Sequence, residues 1–242
     1  MKKIKLLGIA VLLTLTAIFQ SCDDNDGYSV GDIARDYVTV HVTGDNGYTF
    51  TGDQWGTIWP AASVIWGYHP TEGQRALLYF NPLYDNFQGY DVAVKIEDIY
   101  PILTKTVEQL TADNEADYGD DPASITDAWI AGGYLNLIFV QHIPSRTPHR
   151  VSLVENTLKN YEDDGYTHLE YRYNTYGDTL NNNLIRSMVS YNLNTLSMSG
   201  KKGLKLRINS SVNGERVLDF TSNYQPTDEN MKNLDLTHDY SK

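Results

Sequence analysis

The chain has 242 residues, with 19 Lys and Arg against 31 Asp and Glu and a formal net charge of −12 at pH 7. Nucleic-acid affinity rests on neutralising phosphates with Lys and Arg, so so acidic a surface argues against a nucleic-acid partner. Eighteen Tyr and 4 Trp favour strands, and a single Cys excludes an internal disulfide.

Lys2, Lys3 and Lys5 precede an almost uninterrupted apolar run from Leu6 to Phe19, shorter than the roughly 20 residues needed to span a bilayer. The run ends in Ala17-Ile18-Phe19-Gln20-Ser21-Cys22, which resembles the lipobox of bacterial lipoproteins. The competing reading is an ordinary secretory peptide with an incidental cysteine. Cys22 stands where the apolar run changes abruptly to Asp23-Asp24-Asn25-Asp26, which favours a signal peptide over residues 1–21 and lipid attachment at Cys22. Cleavage there removes three basic residues and no acid, leaving 16 basic against 31 acidic residues, a net charge of −15. More than one acyl chain on Cys22 anchors a soluble body without any protein patch on the membrane. Residues 22–35 read as an acidic tether, or as a tether that doubles as a sorting signal.

From residue 36 the pattern is that of strands. Tyr37 to Val42 alternates, Gly44-Asp45-Asn46-Gly47 supplies turn residues, and Tyr48–Thr51 and Trp55–Trp59 follow as antiparallel partners. Arg75–Phe80 and Tyr90–Ile96 continue the series, and Ile99 to Leu110 reads as one more strand or a short helix. This predicts a small β-barrel over residues 36–110. Residues 111–124 are polar and acidic with little to fill a core, and are expected to be a linker.

Tyr134–Val140, His149–Val154, His168–Tyr173, Met188–Leu193 and Leu204–Asn209 each alternate or nearly so, and Glu215–Phe220 adds a last strand after the turn at Val212-Asn213-Gly214. Short strands at this spacing predict an antiparallel β-sandwich over 125–225. Residues 226–242 read as a polar tail with little to bury.

Signals of chemistry are sparse. The chain lacks Gly-x-Ser-x-Gly and His-Glu-x-x-His. His142 and His149 flank two prolines in an expected exposed loop without cysteines to complete a zinc set. Asp113-x-Glu115-x-Asp117 begins like a calcium loop, but Tyr118 takes its glycine position and Ser124 that of the bidentate Glu, so no metal or cofactor is expected. Trp55, Trp59, Trp66 and Tyr68 fall within fourteen residues. They are candidates for stacking on a sugar or gripping a peptide, against the alternative that they fill the barrel core or its lid.

Several separate stretches resemble, in order, the NigD-like lipoproteins of Bacteroidetes: Cys22–Ser29, Thr57–Ser63, Gly73-Gln74-Arg75, Val94–Tyr100, Asp127–Asn136 and Leu169–Asp178. The resemblance covers nearly the whole length. It implies an all-β chain with an N-terminal OB-like barrel followed by a C-terminal antiparallel β-sandwich, and no catalytic motif to carry over. The acidic run after Cys22 is similar to the surface-export signals of Bacteroidetes lipoproteins, which implies an outer-membrane lipoprotein on the cell surface, with the periplasm as the other side. Asp178-Thr179-Leu180 resembles the O-glycosylation acceptor of that phylum, at Thr179. The expectation is a non-enzymatic, membrane-anchored binding or accessory module for a peptide, glycan or partner protein, with bacteriocin immunity suggested by the family's name. The alternative is a carbohydrate-active or peptide-hydrolysing enzyme whose carboxylates the fold brings together, and a third is a spacer that binds nothing small.

Overall fold

The computed structural model describes residues 27–29, 31–44, 47–178, 181–221 and 241–242. The signal peptide, Cys22 and Thr179 lie outside the described residues.

Five strands close a barrel: β1 (Ala34–Thr43), β2 (Gly47–Gly52), β3 (Gly56–Ser63), β4 (Arg75–Phe87) and β5 (Tyr90–Pro101), in the order β1-β2-β3-β5-β4. β3 and β5 run parallel and the other pairs antiparallel. The alternation read from sequence is the cause of the fill: Val38, Val40, Phe50, Ile58, Leu78, Val92, Val94 and Ile96 all point into one interior cluster. The β4–β5 hairpin closes on Phe87 and Tyr90 through Gln88 and Gly89, both at positive φ, the geometry that matches strand twist in a two-residue turn.

Nine strands make the sandwich. One sheet is ordered β6-β12-β9-β8, from β6 (Leu103–Thr106), β8 (Ser124–Ala131), β9 (Tyr134–His142) and β12 (Leu184–Asn192). The other is ordered β14-β13-β11-β10-β7, from β7 (Glu108–Leu110), β10 (Arg150–Asn156), β11 (Thr167–Asn174), β13 (Leu204–Ser210) and β14 (Gly214–Phe220). Leu135, Leu137, Phe139, Leu153, Tyr171, Tyr191 and Leu206 fill the space between them. Three of the pairings (β6–β12, β7–β10 and β11–β13) are parallel, so the sandwich is mixed rather than wholly antiparallel.

The boundaries differ from those expected. β6 and β7 belong to the two sandwich sheets and not to the barrel, so the change of domain falls between Pro101 and Leu103. Residues 111–124 are not a linker. A four-residue helix, α1 (Glu115–Tyr118), buries Tyr118 against Leu110 and Val154, and the residues after it are laid across β11 and β13, with Asp121 N–H donating to Tyr173 O and Ala123 N–H to Asn209 O. Two acids of this stretch, Asp120 and Asp121, accept from Arg207 and Thr175. The expected tether is likewise docked at its far end: Asn81, 3% exposed, donates to the carbonyls of Ser29 and Asp32, and β1 begins at Ala34. In the polar tail, Ser241 and Lys242 pair beside His149, with Lys242 N–H donating to His149 O and Val151 N–H to Lys242 O.

The two domains share a core. Tyr37 and Leu77 on the outer wall of the barrel meet Trp129, Ile138 and Met188 on the outer face of the four-stranded sheet, with Ile102 at the crossover. Trp129 is fully buried and its ring lies 5.3 Å from that of Tyr37. The four-stranded sheet is therefore covered on both faces, which is why β9 reads as a nearly continuous apolar run.

Candidate functional site

The four rings that sequence places together are separated by the strand register. Trp55, in the β2–β3 turn, packs at one end of β2 on Phe80 (centroids 5.2 Å apart, 88°) and under Tyr28. Tyr68 closes the other end of β2 against Tyr48 at 5.3 Å, and burial pushes its hydroxyl up to about 12. Both rings are lids on the barrel core. Trp66, in the β3–β4 connection, is 96% exposed and shares no ring contact with the others among the described residues. Only Trp59 lies on the barrel wall with aromatic company.

That company comes from β4 and β5. Register aligns Trp59 on β3 with Ala93 on β5, and Ala93 with Tyr84 on β4. Trp59 lies against Tyr90 (5.2 Å, 46°) and the exposed Tyr84 is stacked with Phe87 (6.2 Å, 27°). Between the two ring pairs Ala93 is fully buried although it faces outward. The result is an aromatic ledge on the wall and hairpin of the barrel. Asp91 stands beside it, accepting from Thr57 N–H (2.6 Å) and Oγ1 (2.7 Å), and these bonds hold its carboxyl below the usual range. Sequence proximity found Trp59 and missed Tyr84, Phe87 and Tyr90; the only signal available was the pairing of β4 with β5 around a tight turn.

Other charged groups are buried and paired inside the structure. Arg75, fully buried, donates to Asp53 from Nη1 (2.9 Å) and Nη2 (2.6 Å) and to Thr39 Oγ1 (3.1 Å), and lies 5.2 Å from the Tyr134 ring centroid across the domain boundary. Tyr134 Oη donates to Gly73 O (2.9 Å). The β8–β9 turn must be Gly132-Gly133: both have positive φ, and a Cβ on Gly132 would come within 3.0 Å of Asp53 Oδ1. Asp36, also fully buried, accepts from the N–H groups of Gln54 and Trp55, yet burial wins and raises its carboxyl to about 6.

On the outer face of the five-stranded sheet, Glu170 is 0% exposed. Burial alone would push it up, but Tyr161, Lys159, Arg172 and Asn156 surround it and hold it at about 2. Beside it Arg207 makes a bidentate contact with Asp120 (2.5 and 2.8 Å). His149 is buried rather than on an exposed loop; its Nδ1 is 2.7 Å from Tyr173 Oη, and burial lowers its pKa. His142 is exposed, as are Asp113, Glu115 and Asp117. No cluster of three metal-ligating side chains occurs among the described residues.

Two clefts open on the sandwich. One, of about 380 Å³, lies between the edge strands β8 and β14 over Ile125, Ala128 and Leu218. The other, of about 420 Å³, lies between the β10–β11 and β12–β13 connections.

Comparison with known proteins fits this architecture. Residues 37–102 match the NigD-like N-terminal OB domain and residues 105–222 the NigD-like C-terminal beta sandwich domain. A solved protein of unknown function (DUF1344) from Bacteroides vulgatus is 25% identical, with a TM-score of 0.71 over 84% of this chain and 96% of its own. A putative toxin related protein from Parabacteroides distasonis is 32% identical, with a TM-score of 0.68 over 79% of this chain and 94% of its own. A NigD-like immunity protein from Bacteroides caccae, 17% identical, shares the fold with a TM-score of 0.57 over 81% of this chain and 94% of its own. No curated protein matches. The chain belongs to the NigD-like family. Gly73–Arg75 and Asp127–Asn136, two of the family-like stretches, meet at the domain boundary.

Proposed function

We propose that this protein is a lipid-anchored, non-enzymatic accessory protein of the bacterial envelope that grips a polypeptide partner on the aromatic ledge of its barrel, in a bacteriocin-associated role such as immunity. The observation that carries the reading is the pair of ring pairs, Trp59–Tyr90 and Tyr84–Phe87, held on either side of buried Ala93. Exposed Tyr84 and half-buried Trp59, Phe87 and Tyr90 supply contact area at small entropic cost, which is how binding hot spots are built. OB barrels use a strand face and the β4–β5 loop for ligands, and the ledge occupies that loop. The family relative from Parabacteroides distasonis, described as putative toxin related, supports the association, the lipobox-like run ending in Cys22 supports the anchor, and the acidic run after it supports the outer-membrane location with the body outside the cell.

The test is a titration of partners recovered from envelope extract on the detergent-solubilised chain, beside a glycan array. Saturable binding to one polypeptide that falls at least tenfold in Trp59→Ala/Tyr84→Ala and stays unchanged in Trp66→Ala supports the ledge. Equal binding by the double variant, or a glycan as the ligand of the ledge, overturns it. For the anchor, Cys22→Ser should move the protein out of the membrane fraction; unchanged partitioning overturns that part.

A further inference from the structure

The cleft between the β10–β11 and β12–β13 connections has walls that are fixed without a ligand. The two connections are tied to each other by backbone bonds, Lys202 N–H to Gly165 O (2.8 Å) and Thr167 N–H to Gly203 O (3.0 Å), and by Lys202 Nζ to Asp164 O (2.6 Å). One wall is aromatic: Tyr161 is stacked on His168 with centroids 4.6 Å apart and 16° between planes, and its hydroxyl is pinned on buried Glu170. Tyr166 stands beside them. The facing and flanking groups are short or acceptor-rich, namely Glu155, Glu162, Asp163 and Ser197, with Lys201 as a donor. Its volume, about 420 Å³, is within the range of roughly 300–1,000 Å³ typical of small-molecule sites.

We propose that this cleft binds a neutral saccharide. A sugar ring has an apolar C–H face that packs on a tyrosine and an edge of hydroxyls, each a donor and an acceptor. A fixed ring platform bordered by carboxylates, which only accept, and an ammonium, which only donates, matches both. Three carboxylates against Lys201 disfavour phosphorylated, sulfated or sialylated ligands. Two positions that a cationic ligand would use, the Tyr166 ring and Asp164, are already filled from within. Lys202 and Lys205 lie 5.7 and 4.6 Å from the Tyr166 ring centroid, and Asp164 is held by Lys205 (2.5 Å) and His168 (3.0 Å). The site is on the opposite sheet of the sandwich from the barrel, so this inference stands apart from the ledge.

The experiment uses the detergent-solubilised full chain and a panel of neutral hexose and N-acetylhexosamine mono- to trisaccharides, with sialylated, sulfated and basic-peptide probes beside them, read by calorimetry. Saturable binding of a neutral sugar, weakened at least tenfold by Ser197→Trp, which obstructs the cleft from an exposed position, and by Glu162→Gln/Asp163→Asn, which alters exposed acceptors only, is the expected result. Binding of a neutral sugar that both variants leave unchanged overturns the site. Silence across the neutral panel at millimolar concentration, or preference for the charged probes, overturns the ligand class. Trp59→Ala/Tyr84→Ala should retain the sugar, which separates failure here from failure of the ledge.

Discussion

On the barrel side of the sandwich, Trp129, Ile138 and Met188 meet Tyr37 and Leu77 in an apolar seam with one bidentate ion pair at its edge. On the far side, Glu170, Arg172 and Arg207 are covered by Asp120 and by the β10–β11 connection, so the contacts are polar and mostly charged. Both surfaces bury their central side chains, by opposite means. The seam gains from area removed from water and needs only shape, whereas the network offsets its desolvation only while each charge keeps its partners. Damage to the two should therefore differ in kind.

The largest effect is expected where the seam borrows the other chemistry. Arg75→Leu strands Asp53 in a dry site and should cost about 4 kcal/mol in urea unfolding; a loss under 1 kcal/mol would show that water reaches the pair. Glu170→Gln should cost less, about 2–3 kcal/mol at neutral pH, because Arg172 keeps Asp120 within reach. Its folded pKa of about 2 lies below the ordinary 4.5, so its contribution is present above about pH 4.5 and is lost as pH falls toward 2. The variant's acid denaturation should lack that descent. Asp36 has the opposite sign: with its folded pKa raised to about 6, its contribution is full below about pH 4 and is lost as pH rises through 6. Thermal melts should show the wild type gaining on the order of 1–2 kcal/mol from this group on acidification from pH 7, a gain absent in Asp36→Asn. The smallest effect belongs to Trp66→Ala, which should leave stability within about 0.5 kcal/mol, since the ring is 96% exposed.

Elements with one covered face were legible in the sequence: Leu204–Asn209 alternates because its neighbours differ on the two sides. β8 was not, since Trp129 and Ala131 turn to the barrel while Ile125, Ala128 and Ile130 turn to the sandwich, and a bulge between Ile125 and Asp127 shifts the phase. β6 and β7, four and three residues long, carry too little pattern to assign. Residues 111–124 misled for a chemical reason. An acid that solvates a tether and an acid that receives Arg207 are the same letter, and the distinction lies in β13, far along the chain. The ledge was hidden likewise, three of its four rings lying on strands brought beside Trp59 by pairing alone.

The four-stranded sheet has no face of its own to show to water, and this bears on inheritance. If the chain were divided at Ile102, the sandwich half would bare Trp129, Ile138 and Met188, the barrel half Tyr37 and Leu77, and Asp53 and Arg75 would be left facing solvent without Tyr134. Either half would be adhesive, the sort of surface that drives aggregation. A half traded to an unrelated neighbour would carry this surface with it unless the newcomer covered it.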